Sequence, residues 1–147
     1  MGNFTLDMKK FTAKATNNVE LAIKSVVAGV AESVIEMTPV GDATAWKKPP
    51  PIGYTGGRAR GNWDYGFNVS PNTEYEIIDK SGSISMGRID TKLVGKKMAG
   101  NTHFLSNNLP YAQRLEDGWS NQAPQGMIQL TVIKWQSIVD RSVRNIK

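Results

Sequence analysis

The sequence predicts an α+β fold, a small, mainly antiparallel β-sheet packed with a long N-terminal helix and a C-terminal helix. Three observations predict it. Apolar residues recur at three and four through residues 7–37, they alternate with period two through 58–69, and the helical spacing returns over 124–146. The chain of 147 residues is long enough to bury a core as one domain, 1–147, with a proline-rich loop inserted at 41–57.

In the first segment Ala15, Val19, Ala22, Val26, Val30, Val34 and Met37 mark one helical face, and Glu20 with Lys24 forms a favourable i,i+4 pair. Thr5 or Asp7 is the expected cap, and Pro39 forces Thr38 out of the helix. Such a helix is roughly 45 Å long at 1.5 Å per residue. That exceeds what a domain of this size needs, so the overhang points to packing on a neighbouring chain.

Residues 41–57 read as a loop in which Pro49, Pro50 and Pro51 are stiff and Gly53, Gly56 and Gly57 permit sharp turns. Trp46, Ile52 and Tyr54 favour a loop that docks on something; a proline-rich ligand for an aromatic groove is the alternative. From Arg58 to Val69, Ala59, Gly61, Trp63, Tyr65, Phe67 and Val69 fall on one side of a strand. Arg58, Arg60, Asn62, Asp64 and Asn68 fall on the other, which is expected to face water. The Gly-Gly-Arg-Ala-Arg-Gly piece lacks both the dinucleotide-binding spacing and a phosphate-loop lysine.

A short strand is expected over 74–79, a short helix or irregular segment over 84–93, a basic turn over 95–101 and a strand over 102–106. Pro110 suits the start of a helical turn carrying Tyr111, Ala112 and Leu115 on one face, and Gly118 suits its end. The last helix is expected to bury Ile128, Val132, Trp135, Val139, Val143 and Ile146.

Composition bounds the function. Hydrophobic residues make up 39% and charged residues 21%, which is ordinary globular usage. The absence of cysteine removes disulfides, thiolate metal sites and thiol nucleophiles together. The first residues hold no apolar secretory core, Leu6 stands where an N-myristoylation signal needs Ser or Thr, and no run is long enough to span a membrane. The net charge of +5 is spread over three groups around residues 47–60, 80–97 and 134–147. It suits a solvated surface, or a surface lying near nucleic acid without reading its sequence. His103 is the single histidine, without an acidic or thiol partner at a supporting spacing, and Glu116 and Asp117 diverge by about 100° on a helix. No catalytic residue, cofactor or metal ligand is expected, and the chain reads as a non-enzyme.

Five motifs carry a resemblance. Thr38-Pro39-Val40 comes first, then the run Gly56 to Trp63, then Asn107 to Ala112. Leu115 to Gly118 and Gln122 to Met127 follow in order. In this ordered set the chain resembles the HK97 gp10-like family of tailed-phage proteins, the tail-completion or neck components. The family pattern runs almost directly from the threonine-proline-valine turn into the glycine-arginine segment; here residues 41–54 intervene. The resemblance implies a virion protein, assembled in the host cytoplasm, that forms a homo-oligomeric ring, expected to be a hexamer. That ring caps the tail tube at the head–tail junction, meets the neck and lets double-stranded DNA pass. Trp46, Tyr54, Arg58, Arg60, Tyr111 and Trp119 are the candidate interface or lumen contacts. The alternative is a free basic nucleic-acid-binding protein.

Overall fold

The computed structural model describes residues 2–146, with side chains from residue 5 onward. Helix α1 (Gly2–Met37) is followed by a 3-10 turn at Ala43–Ala45, a one-turn helix α2 (Arg58–Gly61) and strand β1 (Trp63–Phe67). Then come helix α3 (Ser83–Leu93), strand β2 (His103–Asn107), the short helix α4 (Ala112–Glu116), α5 (Met127–Ile133) and α6 (Trp135–Val143). The long helix, a two-stranded antiparallel sheet and the C-terminal helices pack together as an α+β fold. The core joins Ala31, Val34 and Ile35 of α1 to Trp63 and Tyr65 of β1, Ile89 and Leu93 of α3, Met98, Ala123 and Met127.

Helix α1 spans 36 residues, about 54 Å at 1.5 Å each. Thr5 and Asp7, expected as caps, lie inside it. Its end falls where Pro39 demands. Thr38 turns its N–H to the Ile35 carbonyl at 3.1 Å and its hydroxyl to the Val34 carbonyl at 2.6 Å. Arg60 then donates to the Thr38 and Glu36 carbonyls, placing a cation on the negative end of the helix dipole.

The strand expected over 58–69 is divided. Gly57 sits at φ 113°, in the left-handed region, and its carbonyl accepts the Gly61 N–H at 3.0 Å, so residues 58–61 close one helical turn. Extended structure begins only at Trp63, which pairs with Asn107, and ends at Phe67, which pairs with His103. The expectation that Asn62 and Asp64 face water is also overturned: both are fully buried. A second layer covers that side. The Asn62 side chain accepts the Tyr75 N–H at 2.7 Å and donates to the Tyr75 carbonyl at 3.0 Å, so one amide substitutes for a neighbouring strand. Residues 74–79, expected as a strand, accordingly form no strand and have no ladder partner among the described residues. The sheet has two strands where three or four were expected.

The segment 84–93 resolves as helix. Asp79 accepts the N–H groups of Gly82 and Ser85, both at 2.9 Å, and so satisfies donors at the start of α3. Gly118 follows α4 at φ 83° and its N–H reaches the Leu115 carbonyl, as a helix-ending glycine does. The last helix is interrupted at Lys134, where ψ opens to 0°. α5 turns Met127 and Thr131 inward, whereas α6 lies over Gly29 and turns Ile138 inward. The expected buried face is corrected accordingly: Ile128, Val132, Trp135 and Val143 are exposed.

Two carboxylates tie distant segments together. Glu116 accepts the N–H groups of Met127, Ile128 and Gln129 at 2.8–3.1 Å, capping α5 from eleven residues or more away. Glu20, in mid-α1, accepts the N–H groups of Met98 and Ala99, and these bonds hold its carboxyl below the ordinary value. A lowered pKa in the folded state means that this stabilisation is complete above the ordinary value near 4.3 and is lost as pH falls through the lowered one. Glu20→Gln is therefore expected to melt earlier than the parent chain at pH 7, with the gap closing in acid. Equal melting curves at pH 7 would show that the two bonds add nothing.

Candidate functional site

Four of the six sequence-selected residues come together. Trp46 and Tyr54 of the inserted loop, Arg58 at the start of α2 and Tyr111 before α4 line one cleft of about 570 Å³, with Pro39, Ile78 and Leu115. The loop reaches this place because its ends touch. A Cβ on Gly56 would lie 1.9 Å from the Gly41 carbonyl oxygen, and one on Gly41 would lie 1.8 Å from the Tyr54 hydroxyl oxygen. Only glycine admits that closure. Within the loop Asp42 accepts the Thr44 N–H at 2.9 Å, which holds its carboxyl low. The Trp46 and Tyr54 rings meet at 4.7 Å between centroids, tilted by 58°, and set one wall of the cleft.

Arg58 is fixed from behind: its Nη2 donates to Glu74 at 2.6 Å and to Glu76 at 2.7 Å. Its Nε is buried without an acceptor among the described residues. Burial pushes the Tyr111 phenol above its ordinary value, against the opposing pull of Arg58. The cleft thus offers three aromatic faces and one guanidinium, a lining that suits an apolar or aromatic segment.

The other two candidates stand elsewhere. Arg60 is committed to the end of α1 and to the Lys80 carbonyl, at 2.7 Å. Trp119 lies outside the cleft, 72% exposed, with the Arg114 guanidinium 5.1 Å from its ring. His103 is held at both ring nitrogens. Nε2 meets the Met98 carbonyl at 2.8 Å and must donate there, so Nδ1 accepts the Tyr65 hydroxyl at 2.9 Å. Burial raises the Tyr65 phenol, which keeps it a donor. Among the described residues no three of His, Cys, Asp or Glu are grouped so as to hold a metal ion.

Five of the eighteen lysines and arginines are engaged by acceptors within the chain. Arg58 and Arg60 are engaged as above. Arg88 donates to the Gly61 and Trp63 carbonyls and lies 3.6 Å from the Tyr75 ring centroid, Lys92 binds Asp64, and Arg141 meets Glu32. No helix among the described residues is long and apolar enough to cross a membrane.

A second concavity was not foreseen. α1, β2 and α6 enclose an apolar groove of about 800 Å³ walled by Val26, Val30, Leu105, Trp135, Val139 and Val143. The signal for it was present as the apolar stripe of the last helix, which sequence reasoning assigned to the core. Compared with protein-family models, curated proteins and solved structures, the chain matches none.

Proposed function

We propose that this protein is a structural component of a tailed-phage virion, a ring-forming tail-completion or tail-terminator protein. In this reading it caps the tail tube at the head–tail junction, joins it to the neck and lets DNA pass through the ring. One observation carries the reading: the residues of the five ordered motifs, separated by up to 82 positions, are one another's hydrogen-bond partners. Thr38 Oγ1 accepts the Trp63 indole N–H at 2.6 Å, and Arg60 binds the Thr38 carbonyl. Asn107 Nδ2 donates to the Ala59 carbonyl at 2.7 Å. The Gln122 amide bonds both the N–H and the carbonyl of Val40, and Glu116 caps Met127. A motif set that forms one bonded frame has a structural reason to occur together in this order, and that supports the reading.

The aromatic cleft and the exposed Trp119 supply interaction surfaces for an assembly role.

Mass spectrometry and negative-stain imaging of purified phage particles are the test. The expected result is the chain at the head-proximal end of the tail. Trp119→Ala is expected to impair tail assembly while changing stability by no more than about 0.5 kcal/mol, as exposed sites do. A chain absent from particles that binds duplex DNA with steep salt dependence would overturn the reading in favour of the nucleic-acid binder.

A further inference from the structure

The apolar groove and the unsupported part of α1 belong to one pattern. Along α1, Met8, Val19 and Val30 recur at eleven residues, as do Phe11 and Ala22, and Ala15, Val26 and Met37. An eleven-residue repeat, about 3.67 residues per turn, keeps a seam on one side of a helix with only a slow right-handed drift. The chain covers this seam at one end only. Met37 packs on the core, and Ala22, Val26 and Val30 line the groove. Met8 at 48%, Phe11 at 69% and Val19 at 50% exposure face solvent, and every residue from 5 to 17 is exposed.

We propose that the overhanging half of α1 from a second copy of this chain seats in the groove between α1, β2 and α6. The continuity of the seam argues for this occupant. The uncovered half carries the same spacing as the groove wall it would meet, so side chains interdigitate at one register. With helices parallel, a shift of eleven residues sets Ala15 beside Val26 and Phe11 beside Ala22. With helices antiparallel, the spacing 11, 15, 19, 22, 26 and 30 reads the same from both ends, and Ala15 again meets Val26. A seam of alanine and valine admits a close helix neighbour. A helix this long without tertiary support is marginal in water and gains from such a partner. Each copy carries one overhang and one groove, so the parallel contact is able to repeat head to tail around a closed ring, whereas the antiparallel one closes a two-fold pair.

A bilayer is the competing occupant, because Lys9, Lys10 and Lys14 lie off the seam as in a membrane-surface helix. The narrowness of the seam and its continuation into a concavity that a flat surface cannot enter argue against it.

The inference stands on the helix and not on the virion reading. The parent chain lacks cysteine, so mixing Ala15→Cys and Val26→Cys chains under oxidation tests the register without background. An interchain disulfide joining the two variants is expected, and none when Val69→Cys replaces Val26→Cys. Native mass should show two copies or more, with Phe11→Asp weakening association by about tenfold or more, as loss of a seated aromatic does. Phe11 is too exposed for that change to unfold the chain. A parent chain that stays monomeric, association unaffected by Phe11→Asp, or Phe11-dependent binding to anionic vesicles without self-association would overturn it. Self-association through α1 in a chain absent from virions would uphold it while overturning the virion reading.

Discussion

Trp63→Ala is expected to lower stability by about 3–5 kcal/mol, measured as a fall in the urea midpoint with an unchanged slope. Domains of this size are stable by only about 5–15 kcal/mol, so the variant should approach the folding limit at 37 °C. Two losses combine. The indole is 2% exposed and touches core residues from α1 and α3, so its removal opens a cavity that the rigid β1–β2 pair cannot close. Its N–H is the donor to Thr38 Oγ1, the bond that joins the end of α1 to the sheet. Thr38→Val separates packing from hydrogen bonding: it leaves the ring packed, removes the acceptor of the indole N–H and the donor to the Val34 carbonyl, and should cost about 1–3 kcal/mol. A Trp63→Ala loss no larger than that of Thr38→Val would show that the ring's packing contributes nothing.

Asp64→Ala is expected to cost about 2–4 kcal/mol. The carboxylate is fully buried and accepts from the Tyr65 N–H and the Tyr75 hydroxyl, both at 2.8 Å, and from Lys92 Nζ at 2.6 and 2.8 Å. Removing it strands those donors. The cost is below that of a wholly buried pair because the Lys92 side chain is 40% exposed and regains water. Asp64→Asn should also destabilise, since its amide presents N–H groups to neighbours that are themselves donors. Adding Lys92→Met to Asp64→Ala should recover part of the loss, which a double-mutant cycle measures. Strict additivity would show that the pair is not coupled.

Both residues also mark where reading the chain succeeded and where it stopped. Trp63 was legible as core from its place in the alternating run. Asp64, one residue on, was assigned to water by the same alternation. The pattern assumes one covered face, and the layer over the other face comes from Tyr75 and Lys92, remote in sequence. Of the candidate contacts, Trp46, Tyr54, Arg58 and Tyr111 do share a cleft. Arg60 was chosen for its charge, but it caps α1, and no local signal distinguishes a capping arginine from a free one.

By itself the sequence determined what local chemistry controls. The 3.6-residue spacing set α1 and its stop at Pro39, the proline and glycine positions set the turns around α4, and the period-two run located β1. Tertiary structure alone decided what depends on residues far apart in the chain. Glu116 is an acidic helix residue until its carboxylate meets the start of α5, and Asn62 is a polar strand residue until it pairs with Tyr75. The valines of α6 are core by periodicity, yet they line an open groove, because the break at Lys134 lets α6 follow α1 along another face. Burial is a property of what arrives from elsewhere, and spacing along one element does not encode it.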